Sequence, residues 1–212
     1  MYRLIIGVFS MIALLFLTSA LGSCKKGKST INLKGNIFNG SSNQWMASMN
    51  LTLSEVNAVT GLPNEIQSTS TDANGQYSFS FPRNQVDHYI LTGTKENCFQ
   101  LEVKIPFSEL SIKKDNYYNA IAYEKGWVKL RFENFDPQPG EILSCNINKT
   151  KTGCEECCST GLFTISNDTS IFCINDGNHE FEYYYNNTTT GQSGFKSAIT
   201  TSFDTTEIYL LY

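Results

Sequence analysis

Histidine is scarce in this sequence: two of 212 residues, His88 and His179, 91 positions apart. So wide a separation supplies no local imidazole cluster for a metal or for proton transfer. Strong charge of one sign is missing too. The formal net charge is −4, too small to create the field that a nucleic-acid-binding surface needs. Beyond the first two dozen residues no segment repeats its apolar positions at helical spacing, which argues against a helical bundle. A phosphate-cradling glycine loop, a Ser-His-Asp arrangement and a paired-carboxylate motif are likewise unrecognisable.

What fills the chain instead is alternation. Aromatic residues make up 13%, and Ser, Thr and Asn abound, a composition suited to strands. "YSFSF" places Tyr77, Phe79 and Phe81 on one face and serines on the other. "FQLEVKI" sets Phe99, Leu101, Val103 and Ile105 against Gln100, Glu102 and Lys104. "VKLRF", "FEYYY" and the final "IYLLY" repeat the pattern, and "QWMASMNLTL" assigns Trp45, Ala47, Met49, Leu51 and Leu53 to the inner face. Strands with one apolar face must stack as two sheets to bury it. "DANG" (72–75) and "DPQPGE" (136–141) read as turns, and "NNTTTGQSG" (186–194) as an exposed hairpin tip. The oxygens of "DANG" lack the further ligands and closing acid of a calcium loop.

The first residues are different in kind. Arg3 precedes an apolar stretch from Leu4 to Leu17, and small residues lead to "LGSC" at 21–24. This resembles the lipobox of bacterial lipoproteins. The resemblance implies cleavage before Cys24, a diacylglycerol on its sulfur and a fatty acid such as palmitate on the freed amine. Two or more chains anchor a protein stably, at about 0.8 kcal/mol per buried methylene. The six residues from Lys25 to Thr30 span at most about 20 Å, so the folded part would sit close to the bilayer. Lys25 stands where an Asp would signal retention at the inner membrane, which implies the outer membrane. The acidic cluster of surface-exported Bacteroidetes lipoproteins is missing from "KKGKST".

Residues 31–122 carry a second likeness. Gly35 in the opening strand, the turn Thr71-Asp72-x-Asn74-Gly75, then Tyr77, Phe79 and the later Tyr89 resemble the carboxypeptidase regulatory-like domain. That family has a transthyretin-like Greek-key sandwich, and two-domain lipoproteins of this kind point to Bacteroidetes. From about Trp127 the chain reads as a second, unrelated sandwich. The transthyretin-like enzyme branch, the hydroxyisourate hydrolases, ends in Tyr-Arg-Gly-Ser; this chain ends "EIYLLY". The ring-cleaving dioxygenases need two Tyr and two His ligands, for which no pattern is recognisable.

Seven cysteines complete the inventory. Besides Cys24, the disulfide candidates are Cys98, Cys145, Cys154, Cys157, Cys158 and Cys173. Five lie between 145 and 173, so either Cys98 joins them or at least two thiols stay free. The adjacent Cys157 and Cys158 are expected to take separate partners, within a stapled loop covering 145–173. Cys154 and Cys157 also have the spacing of half a zinc site or of a redox pair. Two outward aromatics, Trp127 and Tyr184, are binding candidates or covers for a sheet edge.

The expectation is therefore an all-β protein: two antiparallel Greek-key β-sandwich domains after a lipoprotein signal peptide. The divisions are 1–23 (signal peptide), 24–30 (lipidated tether), 31–122 and a cysteine-rich 123–212. Its expected role is a non-catalytic, outer-membrane-anchored binding or scaffold module without cofactor, for a polysaccharide or envelope protein. The alternatives are a thiol-disulfide or metal-dependent enzyme centred on 154–158 and a structural subunit of a surface fibre.

Overall fold

A computed structural model describes residues 29–212. The expected signal peptide, the Cys24 lipidation site and most of the tether lie outside the described residues. No α-helix occurs among the described residues, and no helix there is long and apolar enough to cross a membrane.

Strand β1 (Thr30–Asn39) is the backbone of the first sandwich. It pairs antiparallel with β5 (Gln76–Pro82) and, at its far end, with the two-residue β2 (Gln44–Trp45). On its other side it runs parallel to β8 (Asn116–Tyr117) and β9 (Ala120–Ala122). The facing sheet is wholly antiparallel, in the order β4 (Pro63–Ser70), β3 (Asn50–Val56), β6 (His88–Thr94), β7 (Leu101–Pro106). Between them lie Ile31, Leu33, Leu51, Leu53, Phe79, Tyr89 and Leu91, all essentially buried. Each such side chain contributes about 1.5–3 kcal/mol on burial.

The second sandwich repeats the main strands of this plan, without a counterpart of β2 and with one strand in the place of β8 and β9. β10 (Lys125–Glu133) pairs antiparallel with β13 (Thr169–Asp176) and parallel with β16 (Thr205–Leu211). Opposite it stands the antiparallel sheet β12 (Gly161–Ile165), β11 (Leu143–Lys149), β14 (Glu180–Asn187), β15 (Ser193–Ile199). The second unit thus shares the topology of the first. Its opening strand, inner pairs and parallel closing strand occupy the same places, around a separate core that includes Val128, Leu130, Phe132, Phe181 and Tyr183. The likeness is invisible in sequence because a strand needs only alternation, not particular side chains, to fill its place.

The resembling motif of the first sandwich has physical reasons. Gly35 lies directly opposite Tyr77, and a Cβ on it would fall 1.8 Å from the Tyr118 carbonyl oxygen. That oxygen accepts the Tyr77 hydroxyl at 2.6 Å. Thr71 is buried, donating to the Met46 carbonyl at 2.6 Å and accepting from the Met49 N–H at 2.9 Å. Asp72 caps the turn by accepting from the N–H groups of Asn74 and Gln76, and Gly75 adopts φ +67°, a conformation costly for other residues.

Alternation fails early in the expected strand through 44–53. Trp45 is 52% exposed, while Met46 and Met49 are both buried. The expected strand through 44–53 is broken because the chain crosses between the two sheets here, with Ser48 at φ +56°. Regular pairing resumes at Asn50.

The parallel pairs fix the direction of the molecule. β1 and β9 both run toward the junction between the sandwiches, and β10 and β16 both leave it. Thr30 and Leu211 therefore each lie at the end of their sandwich away from the junction.

Candidate functional site

The residues singled out by sequence separate into three places. The first is the cysteine segment. Cys154 bonds Cys157, and Cys158 bonds Cys173. The adjacent pair thus takes separate partners, as its geometry requires. The stapled part is shorter than 145–173: it runs from Cys154 to Cys173 and includes β12 and the first half of β13, while the irregular strap between β11 and β12 covers only residues 150–160. This strap lies along the outer edge of β13, where the Ile174 N–H donates to the Glu156 carbonyl at 3.1 Å. The Lys151 N–H donates to Asn175 Oδ1 at 2.6 Å. An edge strand whose backbone is covered in this way is protected from pairing with another chain.

Cys98 and Cys145, also disulfide candidates, are thiols. Cys98 belongs to the first core and Cys145, inward-facing on β11, to the second. They therefore cannot meet each other, and Cys154, Cys157, Cys158 and Cys173 satisfy one another. Burial pushes the Cys145 thiol up to about 12, and burial raises Cys98 as well, so neither is a ready thiolate. Among the described residues no group of three His, Cys, Asp or Glu side chains is placed to hold a metal ion. His88 contacts Asp87 at 2.6 Å; His179 donates from Nδ1 to the Gly177 carbonyl at 2.9 Å and packs edge-on against Tyr123.

The second place is the pair of outward aromatics. Trp127, half-buried on β10, stands between Ile174 and Thr205. Tyr184 lies on the outer face of the other sheet, across from Asn146 and packed on Phe195 with ring centroids 5.2 Å apart. The two occupy opposite outer faces and do not converge on one site.

The third place, the junction, was not legible in the sequence. Only Tyr123 and Glu124 separate β9 from β10, and their backbone is bonded on both flanks. From the first sandwich, the Phe99 N–H donates to the Tyr123 carbonyl and the Asn97 carbonyl accepts from Lys125. From the second, the Gly177 N–H donates to the Glu124 carbonyl, and the Phe203 N–H to that of Lys125. Side chains add to this. Asn39 donates to Glu124 Oε1 at 2.6 Å, and Asn178 donates to the Ser41 carbonyl at 3.0 Å. Lys151, from the strap, reaches Asp176 at 3.0 Å and lies 4.8 Å from the ring centroids of both Phe99 and Tyr123. A partly desolvated cation over a ring contributes about 0.5–2 kcal/mol. The strap thus covers a sheet edge and also braces the junction.

A buried carboxylate marks the opposite pole. Glu141, 6% exposed, accepts from Asn134 Nδ2 at 2.8 Å, from the Gln138 N–H at 3.0 Å and from Asn187 Nδ2. These donors, Asn134 foremost, hold its carboxyl below the usual range. In sequence Glu141 was only the last letter of a turn; a charged residue directly after Pro-Gly and before the apolar Ile142-Leu143 was the available signal.

No family model matches the chain, and no curated protein does. Among solved structures, the chain is similar to the Bacillus anthracis TIE protein, with 14% identity and a TM-score of 0.37, covering 86% of this chain and 33% of that one. It is similar to the shaft pilin SpaA from Lactobacillus rhamnosus GG, with 10% identity and a TM-score of 0.35, covering 86% and 97%. It is also similar to 3-chlorocatechol 1,2-dioxygenase from Rhodococcus opacus 1CP, with 11% identity and a TM-score of 0.35, covering 48% and 62%. The chain spans about a third of the length of the TIE protein.

Proposed function

We propose that this protein is a non-catalytic module of the cell envelope, lipid-anchored through Cys24 at the outer membrane. In this reading it is a stiff two-sandwich stalk that holds a binding surface for polysaccharide or an envelope protein away from the bilayer. One observation carries the reading: a two-residue linker whose backbone is bonded to both sandwiches. A flexible tether between domains would leave such groups to water. The opening strands of 10 and 9 residues rise about 3.3 Å per residue, so the far pole stands up to about 60 Å from the near one. The assignment of 31–122 to the carboxypeptidase regulatory-like family belongs to the same reading, supported by the roles of Gly35, Thr71 and Tyr77.

The test is Cys24→Ala. It should release the protein from membranes into the soluble fraction and abolish labelling by fatty acid. Retention of the variant on membranes would refute the anchor. A second reading, a structural subunit of a surface fibre, is supported by the head-to-tail repetition of one sandwich plan; it requires purification as defined polymers rather than monomers.

A further inference from the structure

The pole farthest from the junction carries a pocket of about 410 Å³, formed where the loop after β10, the β14–β15 hairpin and Tyr212 come together. Such a volume lies within the range of small-ligand sites.

Its walls are set before any ligand arrives. The Phe135 N–H donates to the Tyr212 carbonyl and the Tyr212 N–H to the Glu133 carbonyl, both at 2.9 Å. Asn134 is fixed through its N–H to Asp168 Oδ1 at 2.8 Å, and Glu141 ties the same loop to Asn187 at the base of the hairpin. Asn187 in turn accepts from the N–H groups of Thr189 and Thr190. On this braced loop Phe135 nevertheless leaves its ring 81% exposed. A rigid backbone presenting a bare aromatic ring loses little entropy when something stacks on it.

The chemistry of the remaining walls selects the ligand. Gln138, Gln192 and Thr190 supply amide and hydroxyl groups, and Asp136 and Glu141 carboxylates. None of the described residues lining the pocket is cationic, so a phosphate, sulfate or carboxylate would meet repulsion without a partner. A pyranose fits these demands: its C–H face covers an aromatic ring, and its hydroxyls both donate to carboxylates and exchange paired bonds with amides.

We infer that this pocket is a binding site for a neutral saccharide, stacked on Phe135 and held by Gln192, Thr190 and Asp136. The inference deepens the stalk reading and rests on it for the placement of the site at the outward pole.

The experiment is saturation-transfer NMR, followed by calorimetric titration, on the full protein. The probes are cellobiose, laminaribiose, mannobiose and chitobiose, with tetramethylammonium as a cationic competitor. At least one disaccharide should bind, and Phe135→Ala and Gln192→Ala should each weaken it tenfold or more. Phe135→Tyr should retain binding, and Tyr184→Ala should leave it unchanged. Both target side chains face solvent, so the melting temperature of each variant should match the parent, which separates lost binding from lost folding. The inference is overturned if no disaccharide binds, whether or not tetramethylammonium does, or if binding survives both alanine variants. The stalk reading is measured separately, by the rigidity of the junction and by Cys24→Ala.

Discussion

The two disulfides differ in the length of chain they close, and this makes their contributions separable. Cys158–Cys173 joins residues 15 apart, Cys154–Cys157 residues 3 apart. If a cross-link acts by restricting the unfolded chain, the longer loop contributes about 3 kcal/mol and the shorter about 1.6 kcal/mol. Replacing Cys158 and Cys173 together by alanine should therefore destabilise the second sandwich roughly twice as much as replacing Cys154 and Cys157. With a urea m-value of about 1–1.5 kcal/mol/M for a unit of this size, the larger loss moves the midpoint by about 2–3 M. Each sandwich contains one tryptophan, Trp45 in the first and Trp127 in the second. A Trp45→Phe background thus leaves Trp127, next to Ile174 and the strap, as the reporter. The complementary Trp127→Phe background should show the first sandwich nearly unmoved. The reasoning is refuted if the shorter loop matters more, or if the first sandwich loses as much stability as the second.

Other perturbations probe other parts. Thr71→Val leaves the Met46 carbonyl and Met49 N–H without their buried partner and should cost the first sandwich about 2–4 kcal/mol in urea unfolding followed at Trp45. Lys151→Met keeps the apolar stem but removes the charge between Phe99, Tyr123 and Asp176. It should weaken the brace by about 1–2 kcal/mol and speed proteolysis near residues 123–125. Glu141 is held below the ordinary carboxylate range in the folded state, so its contribution is full above the unfolded value of 4.5 and fades as pH falls through the lower folded one. Thermal midpoints of the second sandwich should consequently drop below about pH 4.5, and Glu141→Gln should be less stable at pH 7 with a shallower acid decline. Part of the decline should remain in that variant. Glu133, bonded by Tyr209 and Arg131, and Glu207, bonded by Lys129, are lowered too.

Much of the fold was legible because burial of one sheet face writes itself as alternation. Phe79 and Phe81, Leu130 and Phe132, Phe181 and Tyr183, and Ile208 and Leu210 are all inward as the pattern requires. The turns at Asp72–Gly75 and Asn187–Gly191 were legible for a related reason: side-chain oxygens and positive-φ glycines enforce them locally. What escaped depends on contacts distant in sequence. Met46 and Met49 share a burial that no period describes, because the chain changes sheets between them. The pairing of six cysteines hung on which of them the fold brings together: Cys98 sits in the first core and Cys145 faces the second from β11, while Cys158 meets Cys173 on β13. The junction joins Asn178 to Ser41, 137 positions apart, and no local motif announces such a bond. Trp127 and Tyr184 were chosen for outward position alone, which says nothing of convergence.

The stiffness of the junction can be measured directly. Spin labels at Lys104→Cys on β7 and Ser197→Cys on β15, both exposed, report the separation of the two sandwiches by electron–electron dipolar spectroscopy. A linker clamped on both flanks predicts one narrow distance distribution, unchanged by ionic strength. A broad or multi-peaked distribution would mean that the sandwiches swing freely and that the protein is not a stalk.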